Sequence, residues 1–168
     1  MKKTLLATLC LMAQPILETY AIDFKYKEVD DFPPLSAFKT TEEFEENIEK
    51  YTRYCLDNTF GGTGGIPCYI ESKIWDRELN TYYKELYSKL SEPQKIALKS
   101  SQRTWLEERD KSNNFTLKIV SMKYAGKQGT MYQLMSAGDA SDLFTPIMKQ
   151  RVLLLKNWLE YLETPADR

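Results

Sequence analysis

Histidine is missing from this 168-residue chain altogether. That single absence removes the usual general base, the histidine-paired nucleophiles and most transition-metal sites. Cysteine is scarce, at three residues, and acids and bases nearly cancel, with 24 Asp and Glu against 23 Lys and Arg. No basic stripe of the kind that tracks nucleic acid is present. No loop alternates acids with glycine as a calcium site does. Paired-carboxylate catalysis needs two acids that converge on one bond. Asp76 and Glu78, two apart on a helix, diverge, and Glu107, Glu108 and Asp110 read as a solvated face. No catalytic residue, metal or cofactor is therefore expected, and the chain reads as a binding protein, not an enzyme.

Long apolar runs are also lacking. The longest, Leu5 to Leu17, is interrupted by Gln14 and Pro15 and falls short of the roughly 20 residues that span a bilayer. Behind Lys2 and Lys3, and followed by the small residues Thr19 and Ala21, it has the layout of a secretory signal cut after Ala21. Residues 1–21 are assigned to that signal, which predicts a periplasmic or secreted protein with no membrane span once the signal is gone. Cys10 leaves with it. Cys55 and Cys68 remain, an even number in an oxidising compartment, and are expected to pair.

Charge is unevenly placed along the balanced chain. Residues 22–50 hold nine acids against four bases, a net of minus five, among them Asp30, Asp31, Glu42, Glu43, Glu45 and Glu46. These six are candidates for attracting a cationic protein partner, against the plainer reading that they keep the domain soluble. Pro33 and Pro34 forbid a helix nearby, so residues 22–39 read as an extended acidic arm able to present its charges away from the rest.

Residues 40–168 read as one helical domain. Thr40 and Glu43 form a capping-box pattern ahead of Phe44, Ile48, Tyr51 and Cys55 at helical spacing, which predicts a helix over 42–55 ended by Gly-Gly-Thr-Gly-Gly. Pro67 suits the first turn of a second helix, whose stripe runs Ile70, Ile74, Leu79, Tyr82, Leu86, Leu90. Ser91, Glu92 and Pro93 open a third helix toward Val120. Residues 125–140, rich in Gly and Ser, read as a loop with at most a turn at 131–135, and Ser141 or Asp142 caps a last helix through Phe144, Met148, Val152, Leu155, Leu159 and Leu162. The expected fold is all-α: a small antiparallel domain of about four helices, with the arm and one disulfide.

Polar residues interrupt two of these helices at helical spacing: Asp76, Asn80 and Tyr83 in the second, Gln102, Trp105 and Arg109 in the third. They predict a polar ladder between neighbouring helices, with Asp76 or Asp110 neutralising Arg109 and a structural role for the whole. Taken with CLDNT from Cys55, GGTGG, WDRELN from Trp75, YKEL from Tyr83 and QRTWLEERD from Gln102, these residues resemble the LprI-like lysozyme inhibitor family over about residues 50–162. The resemblance implies a small helical exported domain. Its signature positions here are Cys55, Cys68, Trp75, Asp76, Leu79, Asn80, Gln102, Arg103, Trp105, Arg109 and Asp110, taken as fold-defining. A further cysteine that many members carry after the Arg-Asp pair is replaced by Lys111, Ser112 and Asn113. The implied partner is a cationic lysozyme-like hydrolase. The alternative is an immunity or adaptor protein that binds another toxin or cell-wall enzyme.

Overall fold

A computed structural model describes residues 24–59 and 62–165. The signal assigned to residues 1–21, with Cys10, lies outside the described residues. Among the described residues four α-helices follow a short entry segment: α1 (Thr41–Asn58), α2 (Glu71–Ser88), α3 (Glu92–Lys123) and α4 (Thr130–Glu163). The described residues contain no strand.

α1 starts where its cap dictates. The Thr40 hydroxyl accepts the Glu43 amide at 3.2 Å, and the Glu43 carboxylate accepts the Lys39 amide at 3.0 Å. Its buried face is Phe44, Ile48, Tyr51 and Cys55, one residue per turn. Ser91 and Gln94 close a reciprocal capping box at the start of α3, with Pro93 in the first turn, where its missing amide costs no hydrogen bond.

α2, α3 and α4 form an up-down-up layer. Tyr69 meets Gly138 at one end and Lys89 pairs with Glu163 at the other, so α2 and α4 run in the same direction. α3 returns between their ends. α4 is the central helix, packed on α2 along most of its length and on α3. The core lies where α1 and the entry segment close over α2 and α4: Phe44, Ile48, Ile74, Trp75, Met148, Val152 and Leu155 are essentially inaccessible. Each contributes about 1.5–3 kcal/mol through removal from water. The Phe44 ring meets the Trp75 indole edge-on at 5.1 Å.

Two expected boundaries are overturned. Pro67 does not open α2. It lies in a 3-10 segment, Gly62–Cys68, held by the Cys55–Cys68 disulfide, whose Cα atoms are 5.6 Å apart. Gly65 is buried there, and a Cβ would stand 2.9 Å from Leu134 and 3.0 Å from Leu56. Gly65 serves close packing here and does not simply end a helix.

Residues 125–140 are not a loop either. α4 begins at Thr130, and the link is only 124–129, where Gly126 (φ +73°) and Gly129 (φ +103°) adopt backbone conformations that favour glycine. Gly138 costs about 1 kcal/mol of helix propensity relative to alanine. It allows the Tyr69 hydroxyl to pack where a Cβ would be 2.9 Å away, and tertiary packing wins.

Candidate binding surface

The acidic arm does not project. Phe32 and Leu35 are 3% exposed, and the segment folds onto the helices through 3-10 turns at Val29–Asp31 and Leu35–Ala37. The clamp is a pair of adjacent α2 residues. Arg77 donates to the carbonyls of Val29 and Phe32, both at 2.7 Å, and of Pro33 at 3.1 Å, while its Nη2 lies 2.7 Å from the Glu78 carboxylate. Glu78 is 1% exposed and also accepts the Leu35 amide at 3.1 Å. A buried carboxylate with this many partners is tolerated, whereas removing one partner would strand a charge.

The six candidate acids are thereby sorted. Asp31 accepts the Glu28 amide at 2.9 Å, and Glu43 caps Lys39. Glu45 pairs with Lys149 of α4 and Glu46 with Lys50 one turn on. Asp30 and Glu42 are exposed and have no ion pair among the described residues. Hydrogen bonds from its own backbone amide and from Thr40 hold the Glu42 carboxyl below the usual carboxylate range, so it is ionised at neutral pH.

The signature residues divide between core and cleft. Trp75 and Leu79 are core residues, at 0% and 3% exposure. Asp76 and Asn80 are exposed, and the Asn80 amide donates to the Asp76 carbonyl at 2.8 Å. The expected ladder is not buried: Asp76, Asn80, Gln102, Arg103 and Arg109 line an open cleft between α2 and α3. α3 shows why, since only Leu98 and Val120 along its 32 residues are fully buried. Arg109 pairs with its neighbour Asp110 at 2.7 Å, not with Asp76, and its guanidinium lies 5.5 Å from the Trp105 ring centroid.

Trp105 also faces a residue to which the sequence pattern assigned no role beyond the tail of the family resemblance. Arg151 of α4 is 6% exposed, with Nε donating to Gln102 Oε1 and Nη2 to Ser101 Oγ, both at 3.0 Å. Its guanidinium lies 5.7 Å from the Trp105 ring and 5.5 Å from that of Trp158. Among the described residues no carboxylate pairs with it. Burial pulls its pKa down, yet the starting value is high enough that it stays charged. Neutral oxygens and aromatic faces hold this cation, and they join α4 to α3. The position of Arg151 on the helix face shared with Met148 and Leu155, at i and i+3 or i+4, was the available signal.

Neither a curated protein nor a solved structure matches the chain. A family model described as Lysozyme inhibitor LprI matches residues 67–144. The match takes in Cys68, α2, α3 and the first half of α4, including every signature position except Cys55, and leaves out the acidic segment, Arg151 and Trp158. Over residues 67–144, then, this chain is similar to the LprI lysozyme inhibitor family.

Proposed function

We propose that this protein is exported to the periplasm or beyond and inhibits a lysozyme-type peptidoglycan hydrolase by binding it. The family match over residues 67–144 carries the reading. The missing histidine supports binding as the mode of action. A cationic partner is drawn in by the acidic front, where Asp30 and Glu42 are exposed and unpaired among the described residues. Glu45 and Glu46 lend less, because each already has a lysine beside it. Long-range attraction of this kind acts on encounter more than on dissociation.

The test mixes the protein with lysozymes of several classes and follows both lytic rate and complex formation at two salt concentrations. Inhibition without cleavage of the lysozyme is expected, with association slowed by salt and by neutralising Asp30 and Glu42 together. Binding to a different envelope hydrolase or toxin, with no effect on any lysozyme, would replace this reading by the immunity or adaptor role. Turnover of a glycan by the protein alone would replace both. Salt-independent association would remove the acidic front from the mechanism.

A further inference from the structure

The distal half of α3 carries a surface that neither the fold nor the proposed inhibition uses. From Lys111 to Gly138 the chain has four lysines and no acid. Phe115, Ile119 and Met122, at i, i+4 and i+7, are 64%, 44% and 77% exposed. At 3.6 residues per turn, Lys111, Phe115, Lys118, Ile119 and Met122 fall within an arc of about 100°, on the side opposite buried Val120. The ion pairs of this half of the hairpin are Arg109–Asp110 and Lys123–Asp139, which leaves Lys111 and Lys118 unpaired among the described residues.

We propose that this stripe docks the protein on the surface of an anionic lipid bilayer. Charge complementarity selects the occupant. A second copy pairing stripe to stripe would bring Lys111 and Lys118 of both chains together, a like-charge contact that costs affinity. An acidic protein is the nearer competitor, but carboxylate recognition favours the planar fork of arginine, and no arginine occurs between Asp110 and Gln150. Lysine is a compact charge on a flexible stem, suited to a diffuse layer of phosphates. Its length lets the ammonium stay among the headgroups while Phe115, Ile119 and Met122 enter the acyl boundary. No described helix is long and apolar enough to cross a membrane, so the contact is peripheral.

The test takes the chain as recovered from the envelope of an expressing bacterium and sediments it with vesicles of phosphatidylcholine alone or mixed with phosphatidylglycerol. Binding to the anionic vesicles is expected to exceed binding to the neutral ones at least about tenfold and to weaken as salt rises. The double variant K111E/K118E should lose about tenfold or more of it, and F115S/M122S a comparable share, with circular dichroism melting unchanged for both. Equal binding to the two vesicle types, no binding, or binding that survives both variants overturns the proposal. Lysozyme inhibition lost in K111E/K118E, with no vesicle binding by the parent, would assign the stripe to a protein partner. Dimerisation lost in F115S/M122S would assign it to a second copy. Either outcome overturns the lipid assignment while leaving the inhibitor reading to its own test.

Discussion

Two arginine clusters tie distant segments of this molecule together, and they satisfy their charge in opposite ways. At the entry segment, Arg77 and Glu78 form an ion pair in which the fully buried partner is the acid, and backbone carbonyls and the Leu35 amide fill the remaining hydrogen-bonding positions. Between α3 and α4, Arg151 is buried with no acid paired to it among the described residues, held by Gln102, Ser101 and two indole faces. Neutralisation makes the first cluster intolerant of losing either member. The second has no counter-charge to strand, and removing the cation leaves only neutral acceptors behind.

The largest expected effect follows directly. Glu78→Ala should cost about 3–5 kcal/mol in urea unfolding, because Arg77 and the Leu35 amide lose their shared acceptor. The entry segment should loosen at the same time, seen as faster amide exchange at Leu35. A loss below about 1 kcal/mol would mean that the pair is dispensable and the contrast is wrong. Arg151→Met should cost less, on the order of 1–2 kcal/mol, since two neutral hydrogen bonds and the aromatic contacts are lost while the desolvation penalty of a buried cation is relieved. An Arg151 variant as damaged as Glu78→Ala would show a hidden counter-charge. Arg109→Ala should have the smallest effect, about 1 kcal/mol or less, because its partner Asp110 is 64% exposed and such pairs contribute little. An unfolding cost above about 2 kcal/mol would return Arg109 to the structural role that its signature position suggested.

Helix α1 was legible because its cap and its buried face sit on consecutive turns, and each local preference agreed with the packing. The start of α4 was not legible. Gly126, Gly129 and Gly138 look alike in a sequence, yet two of them turn the chain and the third admits Tyr69 against a helix. Arg77 was missed for a similar reason, and Glu78 was weighed only as an acid diverging from Asp76. Adjacent charged residues on a helix point apart and read as solvated, and only the returning entry segment places acceptors and a donor around both side chains. The signature residues were found but set too deep: Asp76 and Asn80 have helical spacing that suits a packed face, but α3 stands off enough to leave a cleft there.

What the sequence determined by itself was the local and the compositional: an all-helical chain, the caps at Thr40 and Ser91, the apolar stripe of α1, the pairing of its last two cysteines and the want of histidine chemistry. These depend on neighbours within a turn or on counts, and both are written in residue order. Tertiary structure decided which charges are buried and what satisfies them, which acids remain free at the front, and which lysines and apolar side chains share an exposed face of α3. Those outcomes depend on partners tens of residues away, such as Arg151 with Gln102 or Arg77 with Val29. A charge becomes structural or available only when burial removes its water and a distant segment does or does not replace it.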